Sequence, residues 1–331
     1  MFHKSKYSSQ ILILKIFRKA YFFLRLNKKI SRPLCVKNND KASEIIYNAL
    51  ISESPCMIAR FGSNELACLS NYIGITNEKN QYFNYITGKS NPWWWEINIL
   101  NQMHVCGGFF PPTIDKIEKF CKLLLEDMKE VDLLGSWLEE ERYFSNHITY
   151  FKVHLRNLEP FWSEKPWTRA LYGKRVLVVH PFAETIKSQY LNREQLFVKE
   201  ILPAFDLFVI PAVQTIANNK SDFTTWFDAL HYMKNEIDKV DYDICLIGCG
   251  AYGFHLAAHV KRSGKKAVHL GGALQLLFGI KGKRWEDPNY GVQKWGIPYG
   301  SYTNLINDYW VRPNSKETPI NAAIVENACY W

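Results

Sequence analysis

Between residues 175 and 270 short apolar runs alternate with stretches of helical spacing, and this alternation constrains the chain more than any other feature. The runs are Val176-Leu177-Val178-Val179, Leu207-Phe208-Val209-Ile210, Ile244-Cys245-Leu246-Ile247 and Ala267-Val268-His269-Leu270. Four residues are too few for a helix, and continuous apolarity is the mark of a strand covered on both sides. The intervening segments 190–202, 223–237 and 254–262 carry helical spacing. Strands alternating with helices predict an α/β fold: a Rossmann-like parallel sheet with helices on both faces. Upstream, Cys56-Met57-Ile58-Ala59 reads as a strand ending at Arg60-Phe61-Gly62, and residues 117–131 have helical spacing through Phe120, Leu124 and Met128. No Pro-rich or Ser-rich linker separates the halves, so residues 40–331 are expected to form a single domain, with 165–173 as the alternative sub-boundary. After Phe278 the chain is irregular and rich in Trp, Tyr, Gly and Pro, as expected of a tail wrapped over the body.

The net charge of +9 on 331 residues resembles a nucleic-acid signature until it is located. Residues 1–39 hold ten Lys/Arg and no Asp/Glu, leaving 31 basic and 32 acidic residues elsewhere. A nucleic-acid binder spreads its basic residues along a folded groove with stacking aromatics, so no nucleic acid is expected. Within the basic tail, Lys15, Arg18, Lys19, Arg25 and Lys29 fall in an arc of roughly 120° at helical spacing, and apolar residues fill most of the remaining circumference. Residues 11–32 therefore form a basic amphipathic helix. Either it lies in the plane of an anionic membrane surface, or it docks on the protein's own body with its cations solvated. Charges interrupt every apolar run before spanning length, and no cleavable leader pattern is present. The eight cysteines show no CxxC pair or zinc-finger spacing, which suits reduced thiols in a cytoplasmic protein, peripheral to the membrane if the tail binds it.

The run Gly248-Cys249-Gly250-Ala251-Tyr252-Gly253 stands between a strand and a helix, where GxGxxG has physical meaning. Glycine allows a tight turn and close approach of backbone to a pyrophosphate, and the helix N-terminus presents free N–H groups. A ligand-free turn would look the same. A dinucleotide enzyme would place an acid at the end of the next strand, but that strand ends His269-Leu270-Gly271-Gly272, so NAD is not expected. A different nucleotide diphosphate remains compatible. Strand ends also carry His180, Gln214 and His269, each suited either to a ligand or to capping the local backbone, and Arg60, suited either to a phosphate or to a surface pair with Glu65 beside a Ser63 helix cap. Glu184, just after His180, could orient it or act as base. Lys281 and Arg284, beside Gly279 and Gly282, form a basic corner suited to a departing diphosphate or simply to solvent. Trp93-Trp94-Trp95 could stack on sugar rings, although three successive large rings cannot share one face.

The segment Arg60-Phe61-Gly62-x-x-Glu65, taken with the Gly248 turn and the strand ending at Gly272, resembles the GT-D-fold glycosyltransferases, whose signature reads Arg-Phe-Gly-Asp-Gly-Glu. A second set of residues resembles an uncharacterised branch of that superfamily associated with bacterial surface polysaccharide synthesis. It comprises Val178-Val179-His180-Pro181-Phe182, Ala212-Val213-Gln214-Thr215, the run from Gly271 to Trp285, and the ending Cys329-Tyr330-Trp331. The resemblance implies transfer of a sugar from a nucleotide-sugar donor to a surface-glycan or lipid-linked acceptor. It implies donor contacts from Arg60, Gly62, Gly248, Gly250, Gly253, His269, Lys281 and Arg284, with Glu65, His180 and Glu184 as catalytic candidates. Glu65 is also the candidate ligand for a divalent cation, Mn or Mg. Ser63 and Asn64 replace the signature's Asp and Gly, which removes one carboxylate from a cation that prefers several oxygen ligands. A catalytically silent nucleotide-binding module of a membrane polysaccharide assembly is the alternative.

Overall fold

A computed structural model describes residues 8–24, 33–76, 81–144 and 150–331. Its centre is one seven-stranded sheet in the order β3-β2-β1-β7-β6-β4-β5, with every pairing parallel. The strands are β1 (Cys56–Ala59), β2 (Leu133–Ser136), β3 (Phe151–His154), β4 (Arg175–His180), β5 (Asp206–Pro211), β6 (Ile244–Ile247) and β7 (Lys266–His269). The chain builds outward from β1 to β3, crosses to β4 and β5, and returns to insert β6 and β7 in the middle. Because all strands run the same way, the loops after β1, β7, β6 and β4 meet over one edge, the place where open α/β sheets gather ligands.

Alternation along each strand divides two cores. Met57, Ala59, Leu134, Leu177, Val179, Cys245, Ile247 and Ala267 face one way, while Ile58, Leu133, Val176, Val178, Ile244, Leu246 and Val268 face the other. The first face is covered by α3 (Ser63–Thr76), α5 (Ile97–Val105), α6 (Ile114–Met128), α8 (Trp226–Asp238) and α9 (Gly253–Arg262). The second face is covered by α2 (Asn39–Ile51), α7 (Ala183–Tyr190), α10 (Leu274–Leu277) and the irregular C-terminal segment through Trp285, Tyr302, Trp310 and Trp331. The expected wrapped tail therefore supplies part of a core.

Two expectations need correction. The stretch 190–202 is turns after α7 ends at Tyr190, and β5 is a half-exposed edge strand with Phe208 in solvent. Four side chains brace the α6–α9 contact: buried His255 Nδ1 lies 2.6 Å from Asp127, which also takes Arg262 at 2.5 Å, and Arg262 reaches Glu130 at 2.9 Å.

The N-terminal helix α1 (Ser8–Leu24) docks on α4 (Tyr82–Ile86). Lys15 pairs with Glu96 at 2.6 Å, and Arg18 donates to the Tyr85 carbonyl at 2.9 Å with its guanidinium 4.6 Å from the Tyr85 ring. Part of the expected basic face is thus turned inward, because a carboxylate and an aromatic seat await it there. Residues 25–32, with Arg25 and Lys29, lie outside the described residues. No described helix is long and apolar enough to cross a membrane.

Candidate functional site

A cleft of about 300 Å³ lies over the C-terminal ends of the central strands. Its first wall comes from the β1 exit. After Ala59 the backbone leaves the sheet, Phe61 buries against the Phe254 ring at 4.9 Å, and Leu66 N–H donates to the Gly62 carbonyl to start α3. The Glu65 side chain folds back over Gly62, where a Cβ would lie 1.8 Å from Oε2 and Glu65 would have to swing away to admit it. Arg60 and Glu65 both line the cleft, and no hydrogen bond or ion pair among the described residues engages either one. Burial lowers the Arg60 pKa below its ordinary value while the Glu65 charge opposes that shift. The Arg60 guanidinium is 5.3 Å from the Trp137 ring at the β2 exit. Buried Glu141 fixes that exit, accepting from the Trp137 and Leu138 amides at 2.8 and 2.9 Å and from the Ser136 hydroxyl.

The glycine turn forms the floor. A Cβ at Gly248 would sit 2.7 Å from both the Gly271 carbonyl and the His180 ring, so three strand exits close on one another only with hydrogen at 248. Gly250 has φ +56°, the left-handed turn that the motif needs. Gly253 serves another purpose: a Cβ there would lie 2.3 Å from the His269 ring. His269 is buried beneath the floor, its Nδ1 3.3 Å from the Ile247 carbonyl, and does not line the cleft. Burial, then the Arg60 charge, depress its pKa to about 3. The expected donor contact from His269 is therefore replaced by a packing role.

His180 does line the cleft. Its Nδ1 accepts from the Phe182 amide at 3.0 Å, which places the proton on Nε2. Burial depresses its pKa to about 3, which favours a neutral ring with its Nε2–H free to donate. Glu184 is exposed, pairs with Lys187 at 2.9 Å and stays outside the cleft. The N-terminus of its helix is occupied by Glu317, which accepts from the Glu184 amide at 2.7 Å and from the Thr185 hydroxyl. Lys281 is likewise outside, 3.6 Å from Glu286. Gln214 lines the cleft, its amide 3.3 Å from the Glu317 carbonyl.

The opposite wall is the C-terminus itself. Gln275 Nε2 donates to the Tyr330 carbonyl at 3.0 Å, Arg284 N–H to that of Cys329 at 3.1 Å and Arg312 to that of Trp331 at 2.6 Å. Gly272 and Gly282 admit Tyr330, which would strike a Cβ at 2.3 and 2.8 Å. Arg284 enters this wall 4.7 Å from the Tyr330 ring and is paired with Glu326. Trp285, Tyr290 and Trp295 complete an aromatic lining. The Trp93-Trp94-Trp95 triplet is elsewhere: Trp93 and Trp94 pack on Tyr82 and Tyr85, and Trp95 on Tyr72.

The sequence reading missed Glu159. It follows the Leu155–Leu158 turn beyond β3, with no motif around it, and lines the cleft. Its Oε2 accepts from Trp162 Nε1 and from the Tyr302 hydroxyl, both at 2.8 Å. Burial drives its pKa up to about 7 against the opposing pull of those two donors and of Arg156. A carboxyl held near neutrality inside a cleft is the usual signature of an acid–base group.

A divalent cation finds a poor fit. No group of three or more His, Cys, Asp or Glu side chains among the described residues is arranged to hold a metal, and at the β1 exit Glu65 stands without a second carboxylate. No family model and no curated protein matches the chain. A solved structure described as a domain of unknown function 1792 aligns with 92% of this chain and 95% of its own length, at 12% identity and a TM-score of 0.38. A superposition that loose carries no chemical inference.

Proposed function

We propose that the protein is a glycosyltransferase that takes a sugar from a nucleotide-sugar donor and passes it to a glycan or lipid-linked acceptor at a membrane face. The observation that carries this reading is that Arg60 and Glu65, neither engaged by a hydrogen bond or ion pair among the described residues, share a cleft floored by the Gly248 turn and walled by aromatic rings. Arg60 offers a charge to a diphosphate, and the Nε2–H of His180 and the turn's amides offer neutral donors. Glu65 accepts from donor hydroxyls. The aromatic wall presents apolar faces to a sugar ring. The sequence resemblance to GT-D-fold transferases points the same way.

In the transfer, Glu159 takes the acceptor hydroxyl proton as the acceptor oxygen bonds to the anomeric carbon, and the bond from that carbon to the diphosphate oxygen breaks. The leaving group's growing charge is met by Arg60 and His180. No step is assigned to a cation. The substitution of Ser63 for the signature's carboxylate favours one second reading, a nucleotide-binding module that turns nothing over.

Incubation with UDP-, GDP- and CDP-sugars, with donor hydrolysis followed by release of nucleoside diphosphate, separates the two. Turnover that rises through pH 7 and falls at least about 100-fold in Glu159→Gln supports the transferase. Nucleotide binding without turnover of any donor leaves the module.

A further inference from the structure

Helix α1 docks on the body through one face, its roll fixed by Lys15 and Arg18, and turns an apolar arc outward, and we infer that this outward arc seats the protein on an anionic lipid surface. Ile11, Leu14, Arg18 and Tyr21 are the positions sheltered by the body. Opposite them, Leu12, Ile13, Ile16, Phe17, Phe23 and Leu24 occupy roughly 140° of the helix circumference at 100° per residue. They are 51 to 83% exposed, and no charged residue interrupts their arc. A contiguous apolar face of this kind on a folded body marks a partner or a membrane.

The docking explains why the arc points outward. The Lys15–Glu96 pair and the Arg18–Tyr85 contacts fix the roll of the helix. Glu96 is itself held, by Trp94 Nε1 at 3.0 Å and through its own amide by Asn71 Oδ1 at 2.9 Å. Tyr82, Tyr85, Trp93 and Trp94 form a packed aromatic seat beneath. The Trp pair that the sequence offered for sugar stacking here orients α1.

Charge selects the occupant. Lys19 borders the arc, and residues 1–39 carry ten Lys/Arg and no acid, of which Lys15 and Arg18 are engaged with the body. A second copy of this chain would bring the same uncompensated positive charge to the interface, whereas anionic headgroups neutralise it. The helix is long enough to lie in the interfacial plane and, like every described helix, not apolar enough to span.

The test is flotation of the full-length chain with phosphatidylcholine vesicles, with and without phosphatidylglycerol, independent of any sugar transfer. The chain is expected to float with phosphatidylglycerol vesicles and more weakly without. The triple variant Ile13→Gln, Ile16→Gln, Phe17→Gln should lower the partition by more than about tenfold, with its unfolding transition unchanged because these side chains project into solvent. Lys19→Gln should weaken only the phosphatidylglycerol-dependent part. The inference is overturned if the wild-type chain does not float, or if the triple variant floats equally well. It is also overturned if the substitutions convert a sedimenting dimer to monomer while vesicles are ignored, since the occupant would then be a second copy.

Discussion

The imidazole of His269 rests where a side chain at Gly253 would begin, with Cε1 2.3 Å from the position of a Cβ. The third glycine of the GxGxxG run is therefore explained by a buried ring, with no ligand involved. Gly253 has an ordinary helical φ of −59°, so replacing it introduces a clash without backbone strain. Gly253→Ala should cost about 1–3 kcal/mol of stability in denaturant unfolding. In a His269→Ala background the same change should cost at least about 1 kcal/mol less, a coupling that two independent sites would not show.

Glu159 gives a stability signature separate from catalysis. Its carboxyl is held at about 7 in the folded chain against an ordinary 4.5. Between those values the folded state keeps a proton that the unfolded state has released, so folding stability falls as pH rises through this window. Glu159→Gln removes the penalty. The variant's stability relative to wild type should increase from pH 5 to pH 8 by at most about 3 kcal/mol, as read from urea midpoints across pH.

Asp127 works in the opposite sense. Burial raises its pKa, but the hydrogen bond and charge of His255, with Arg262, outweigh burial and leave it below the ordinary 3.8. Its contribution is fully present above 3.8 and is lost as pH falls through the lower folded value. Asp127→Asn should destabilise by about 1–3 kcal/mol near neutrality, where buried His255 loses its charged partner while Arg262 keeps Glu130, and by less under acid conditions. Thermal melts at neutral and acid pH provide the check.

The strands that could be read from sequence were those buried on both sides. Cys56–Ala59 and Ile244–Ile247 match the apolar runs residue for residue, because a strand under helices on both faces needs no polar position. β2 and β3 escaped for the converse reason. Leu133–Ser136 ends in Gly-Ser, and Phe151–His154 is an edge strand with Phe151 toward solvent. The site divides in the same way. Arg60, Gly62, Glu65, His180, Gly248, Gly250 and Arg284 line the cleft because strand ends of a parallel sheet must share an edge. Glu159 has no local pattern at all, since its raised pKa comes from burial, which only the tertiary fold supplies.

The two cations of the 281–284 corner should separate experimentally. Arg284 faces the cleft, whereas Lys281 is paired with Glu286 away from it. Arg284→Gln should weaken nucleoside diphosphate binding by roughly tenfold or more, and Lys281→Gln should leave it within about twofold, by thermal-shift titration.

The central claim is that Arg60, which makes no hydrogen bond or ion pair among the described residues, meets a diphosphate. Isothermal titration of UDP, GDP and CDP into wild-type protein and Arg60→Gln tests it most directly. The account predicts saturable binding of at least one nucleotide by the wild type and a loss of about 1.5–3 kcal/mol, roughly 10- to 100-fold, in the variant, with the fold intact by circular dichroism. Equal binding by the two proteins, or no binding of any nucleoside diphosphate by the wild type, would contradict it.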